Sequence, residues 1–139
     1  ERITDMGLPN TNTLNQRFIP SRQLLPGDWA NAVTDALVSS QAVVATPAGT
    51  QATSILLNAA QINITAVATA NDGVKLPPAI AGMEISIVNS DAADAAQIFA
   101  SGSDTINATA GAIGVSLAAG AAIILRCIKT GNWRRFVSA

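Results

Sequence analysis

The sequence predicts an all-β protein, and three observations carry that prediction. Over the C-terminal two thirds of the 139 residues, short stretches alternate apolar and polar side chains, the period-two pattern of strands with one buried face. Turn-forming groups divide those stretches: Asn71-Asp72-Gly73, Pro77-Pro78, Ser101-Gly102-Ser103-Asp104 and Thr130-Gly131-Asn132. What precedes them reads differently, as an arm and a helix. The expected architecture is a compact antiparallel β-sandwich or flattened barrel, preceded by an extended N-terminal arm and one short helix. Its boundaries fall at 1–27 for the arm, 28–41 for the helix, 42–53 for a linker and 54–139 for the β-domain.

Residues 1–27 hold three prolines and little periodicity. Their large apolar residues, Met6, Leu14, Phe18, Ile19, Leu24 and Leu25, stand apart among Asn, Thr and Arg, so the segment cannot enclose a core of its own. A purely solvated tail has little need of Phe18, Ile19, Leu24 and Leu25. The segment therefore reads as an arm that lays these side chains into pockets on a neighbouring subunit.

Asp28 follows Pro26-Gly27 and can accept the amide hydrogens of a first helical turn, opening the run WANAVTDALVSSQ. Trp29, Ala32, Val33, Ala36 and Leu37 recur at helical spacing as one apolar stripe. About three turns are too short to be stable alone, so the stripe must cover the β-domain or meet copies of itself about a symmetry axis. Trp29, Val33 and Leu37 thus join the six arm residues as candidate partner contacts. Ala45 to Thr53, with Pro47 and Gly49, reads as linker.

The β-domain parses into about eight strands. Ser54–Leu57 is followed by Ile62–Thr69, with Ile62, Ile64, Ala66 and Ala68 on one face and Asn63, Thr65 and Val67 on the other. Asn71-Asp72-Gly73 predicts a hairpin into Val74–Leu76. Met83, Ile85 and Ile87 share a face opposite Glu84, Ser86 and Val88. Ile98–Phe99, Asp104–Ile106 and Ile113–Leu117 are shorter, and Ala122–Lys129 pairs with Trp133–Val137 across Thr130-Gly131-Asn132. Expected core residues are Ile64, Ile85, Ile87, Phe99, Ile106, Val115, Leu117 and Leu125.

Charged residues make up 12% of the chain, against a usual value of about 25%, and apolar types reach 49%. A surface so poor in charge is explained if other chains cover much of it. Eight basic and nine acidic residues are scattered, apart from Arg126, Lys129, Arg134 and Arg135 near the C-terminal hairpin, which argues against a phosphate-neutralising nucleic-acid surface. The polar opening stretch shows no secretory signal, and opening on Glu1 without a methionine implies residues upstream of it. The charge-free run from Ile106 to Leu125 is long enough to span a bilayer. Gly111, Gly114 and Gly120 interrupt it, however, and it divides at Ala119-Gly120 into two strands, so no membrane is expected.

No catalytic constellation appears. There is no histidine to activate the plentiful Ser and Thr, and the single cysteine, Cys127, sits in the most apolar strand as a small hydrophobe. No internal disulfide, metal site or cofactor is expected. Asp72, Asp91, Asp94 and Asp104 fall in turns, where aspartate accepts local amide hydrogen bonds; a calcium site at Asp91, Asp94 or Ser103-Asp104 has modest oxygen density and no EF-hand spacing. Trp133 reads as packing over the end of the β-core and Trp29 as an interface anchor rather than as sugar platforms.

The order of signals from about residue 50 to residue 137 resembles a β-domain recurrent in structural proteins of tailed-bacteriophage particles. The residues that carry the resemblance are Asp72-Gly73-Val74-Lys75-Leu76-Pro77, then the stretch Gly82 to Asn89, then Ile98-Phe99, then the turn Gly102 to Asn107. Leu117 to Gly120 opens the last long apolar strand, which Gly131 and Trp133 close. Members of that family occupy head decorations, head fibres and tail appendages. The resemblance implies a non-enzymatic virion protein, made in the host bacterial cytoplasm and placed on the capsid exterior. There it would bind the major capsid protein or another virion protein and copies of itself as a homotrimer, with no nucleic-acid or membrane partner. The alternative is a head or tail fibre subunit whose β-domain binds a host receptor or glycan, and a more distant one is an accessory module of a bacterial enzyme.

Overall fold

Ile62 and Ile64 point inward from the strand Gln61–Ala66, and beyond it the chain turns a corner where the sequence signals a hairpin. The computed structural model describes residues 39–136, all within one compact unit, Val38–Ala139. Eleven strands lie among the described residues, and no helix. They are β1 (Ser40–Val44), β2 (Ile55–Leu56), β3 (Gln61–Ala66), β4 (Gly73–Lys75), β5 (Glu84–Asn89), β6 (Ala96–Phe99), β7 (Thr105–Ile106), β8 (Thr109–Ala110), β9 (Val115–Leu117), β10 (Ala122–Lys129) and β11 (Asn132–Phe136). A seven-stranded sheet has the order β1-β3-β5-β10-β11-β7-β8, and a four-stranded sheet the order β2-β4-β6-β9.

The first six strands alternate between these two sheets, and all their pairings are parallel: β1 with β3, β3 with β5, β2 with β4 and β4 with β6. The chain therefore winds as three stacked coils in a β-solenoid-like arrangement, each coil contributing one strand to each sheet. This overturns the expected antiparallel sandwich or flattened barrel. Strand alternation reports which face is buried, and it is silent on which strand lies alongside. The Asn71-Asp72-Gly73 signal is a corner that carries the chain from β3 in one sheet to β4 in the other.

After β6 the winding reverses. Strand β9 runs antiparallel to β6 and β10 antiparallel to β5, so a fourth coil is traced backwards over the third. Strand β11 then returns along β10, the one hairpin that the sequence places correctly, and the short β7–β8 pair extends the larger sheet.

Register aligns the inward side chains between coils. Val43 stands beside Ile64, and Ile62 beside Ile87, while Leu125 of the return coil faces Ile85. From the smaller sheet come Val74, Ile98 and Leu117, and one continuous core joins both sets with Leu57, Leu76, Ile106 and Trp133. Full burial of each such side chain contributes about 1.5–3 kcal/mol relative to exposure. Seven of the eight expected core residues are in this cluster or packed on it, Val115 being only partly buried; the eighth, Phe99, is buried outside the cluster. Two strands escaped the sequence reading. The end of the expected helix, Ser40 and Gln41, together with the start of the expected linker, forms β1, and Thr109–Ala110 forms β8. Of the rest of the expected helix, Ser39 is not helical and 28–38 lie outside the described residues, as does the arm 1–27.

Two backbone positions set local limits. Gly73 exchanges both backbone hydrogen bonds with Thr46 of the preceding corner, and a Cβ there would stand 2.1 Å from Ser54 Oγ and 2.9 Å from the Phe99 ring. Gly73→Ala is expected to lower the free energy of unfolding by about 1–3 kcal/mol in urea denaturation, through overpacking against Phe99. In the two-residue β7–β8 turn both Asn107 (φ 50°) and Ala108 (φ 73°) are left-handed, and only asparagine adopts that region readily. Ala108→Gly is expected to raise stability by about 1 kcal/mol in the same measurement.

Candidate functional site

The polar residues that the sequence singles out are drawn to the corners. Asp72, almost fully buried, accepts hydrogen bonds from the Ala48 amide at 2.9 Å, the Thr69 amide at 3.0 Å and the Thr69 hydroxyl at 2.8 Å. Ala48 belongs to the corner of the coil below, so the carboxylate joins two coils. Asp91 repeats the arrangement one coil on. It accepts from Val67 of the preceding corner and from Ala93 and Asp94 of its own turn, each at 2.9 Å. At the opposite side of the stack Asp104 accepts from the Ala79 amide at 2.7 Å. The Ala48 amide, ahead of the Thr69 donors, holds the Asp72 carboxyl below the usual aspartate range despite its burial. Asp91 is lowered as well, first by the Asp94 amide and then by those of Ala93 and Val67.

Asn89 occupies the inward position next to Ile64 and is fully buried. Its amide nitrogen donates to the carbonyls of Asp94, Leu117 and Ala118 at 2.9–3.3 Å, and its oxygen accepts from the Asp91 amide at 3.1 Å. The side chain thereby fastens the reversed coil onto the third.

These contacts decide what the acidic turns can do. With both oxygens of Asp72 and Asp91 facing hydrogen-bond donors, neither carboxylate is directed at a cation or a substrate. No group of three or more His, Cys, Asp or Glu able to hold a metal ion occurs among the described residues. Cys127 is buried, with its thiol donating to the Lys129 carbonyl at 3.2 Å. Trp133 is buried in the core beside Cys127. The run from Ile106 to Leu125 is divided among β7, β8, β9 and β10, and no helix of the described residues is long and apolar enough to cross a membrane. The nine candidate partner contacts, Met6, Leu14, Phe18, Ile19, Leu24, Leu25, Trp29, Val33 and Leu37, lie outside the described residues.

Two surface features of the larger sheet were not visible in sequence. One is a ridge on β10 and β11, where exposed Ile124 and Phe136 stand side by side and Arg126 pairs with Glu84 while lying 5.6 Å over the Phe136 ring. The other is a shallow groove of about 480 Å³ across the outer face of β1, β3 and β5, lined chiefly by Ser40, Gln61, Asn63, Ser86, Val88 and Ser90. Its signal in the sequence is the outward half of each strand's alternation. That half becomes a site only when strands about twenty residues apart are stacked in parallel.

Together the corners, the core and the groove define a short β-solenoid-like unit in which buried Asp72 and Asn89 bond its own backbone, while Ser54 Oγ and the Trp133 indole nitrogen are buried without a hydrogen-bond partner among the described residues. No protein-family model matches the chain, and neither a curated protein nor a solved structure is significantly similar to it.

Because the folded-state pKa values of Asp72 and Asp91 lie below those of an unfolded chain, their stabilisation is complete above the unfolded value of about 4 and is lost as pH falls through the lowered folded values. Asp72→Asn and Asp91→Asn are each expected to be less stable than the parent at neutral pH. Each is also expected to show a flatter fall in the urea midpoint between about pH 5 and about pH 2.

Proposed function

We propose that this chain is a non-enzymatic structural protein of a tailed-phage particle, a capsid decoration protein that binds the head exterior and stabilises the lattice. The observation that carries a structural rather than chemical role is the use of Asp72, Asp91 and Asn89. The polar side chains that could begin a catalytic site instead close the corners of the stack. The placement in a virion is supported by the sequence resemblance alone. Its motifs fall at Asp72-Gly73 on a corner, at Gly82 to Asn89 leading into and forming β5, at Leu117 to Gly120 on the return of the reversed coil, and at Trp133 in the core.

In this reading the apolar arm residues and the helical stripe bind major capsid subunits or neighbouring copies in a homotrimer. Each contact gains about 25 cal/mol per Å² of apolar surface removed from water, multiplied by avidity across a symmetric lattice. Neither nucleic acid nor membrane takes part, and the protein is made in the bacterial cytoplasm before assembly. A second reading, a head or tail appendage with a glycan-binding β-domain, is favoured by the polar groove on β1, β3 and β5.

Co-sedimentation of the full chain with empty capsids of the phage that encodes it is expected to show saturable binding at a fixed ratio to capsid protein. Phe18→Ala and Leu25→Ala are expected to weaken that binding. A folded oligomer that leaves the capsids bare would remove the decoration reading.

A further inference from the structure

We infer that the outward face of β5, β10 and β11 is a contact surface for a second copy of this chain, packed face to face about a two-fold axis that runs along β10. Register sets the side chains of this face in rows. Ser86, Ile124 and Phe136 form one row across the three strands, and Glu84, Arg126 and Arg134 form the next. Ile128 stands two residues beyond Arg126, on the same side of β10. Ile124, Phe136 and Ile128 are 40%, 48% and 68% exposed, so large apolar side chains border the charged row on both sides.

The order of charges in that row selects the occupant. Arg126 and Arg134 are direct partners in an antiparallel pair, where like charges oppose pairing, and the carboxylate of Glu84 lies on the far side of Arg126. A uniformly anionic surface would answer the guanidiniums but repel Glu84. A two-fold axis along β10 reverses the row in the second copy, laying its β11 over β5 and its β5 over β11, so that Glu84 of each copy faces Arg134 of the other. Positions along the strands are kept by the same axis, within the aligned packing usual for two sheets, so Ile124 meets Ile124, Ile128 meets Ile128 and Phe136 covers Ser86. Arg126 stays near the axis, its charge met in its own copy by Glu84 and its guanidinium lying over the Phe136 ring. The strands from β3 to β7 on either side of β10 offer roughly 500 Å² per copy, about 1,000 Å² in all, the lower limit for a specific interface. The pair is therefore reversible, with a Kd on the order of 10 μM.

The test is analytical ultracentrifugation of the full chain from about 1 μM to about 500 μM, a range that brackets the expected Kd. The mass of the species present at low concentration is expected to double across that range. Glu84→Arg and Arg134→Glu each set like charges face to face across the axis, and each is expected to weaken the doubling about tenfold. The two reversals together re-form both pairs with their signs exchanged and are expected to restore it. Ile124→Asp changes an exposed side chain and brings two carboxylates together on the axis; it is expected to abolish the doubling with the melting temperature unchanged. A mass that stays constant over the whole range would overturn the contact, as would doubling that survives Ile124→Asp or a double reversal no better than the single ones. The doubling is measured on the free protein, whatever the size of the species that doubles, so its failure leaves capsid binding to be decided by co-sedimentation.

Discussion

A chain that passes back and forth between two sheets must turn sharply at every passage, and each turn leaves backbone amides that no strand ladder can satisfy. The rest of this fold depends on how those amides are bonded. Asp72 takes the Ala48 amide and Asp91 takes the Val67 amide, each reaching to the coil before its own while also closing its own turn. Buried amides without partners would oppose the stack at each corner. Supplied with a carboxylate from the next coil, the same amides set the vertical spacing and the register. The inward rows of Val43 with Ile64 and of Ile62 with Ile87 are a consequence of that register. So are the outward rows of Ser40, Gln61 and Ser86 that make the groove.

The reversal after β6 answers a different problem. A parallel stack ends in a sheet edge with unsatisfied backbone groups, a surface on which other strands can add. Here β9 and β10 cover the third coil in the opposite direction, and Asn89 binds the carbonyls at Leu117 and Ala118 that begin the return. A buried amide suits this place because it donates and accepts at once. An aspartate would repel those carbonyls, and a leucine would leave them unbonded.

Much of this was legible in the residues, in a particular sense. Alternation located most of the strands and identified Ile64, Ile85, Ile87 and Leu125 as inward, because burial of one face is a local property. The service of the turn aspartates to the backbone was legible for the same reason. Strand partners were not: Asn71-Asp72-Gly73 looks alike in a hairpin and in a corner, and what separates them is an amide at Ala48, twenty-four residues earlier. Strand β1 was hidden because SQAVV offers one buried residue, Val43, and follows a helical pattern without a break. The groove was hidden because its polar residues are unremarkable until three strands distant in sequence are laid side by side.

The corner carboxylates also govern how such a unit can change length. Adding or removing one residue within a strand turns its inward row outward, and shifting a corner by one residue separates a carboxylate from the amide it serves. A whole coil carries its own pair of strands, its own inward row and its own aspartate, and leaves the coils on either side with the partners they had. Length here is therefore expected to vary in units of a coil, with each outward row lengthened by one residue each time.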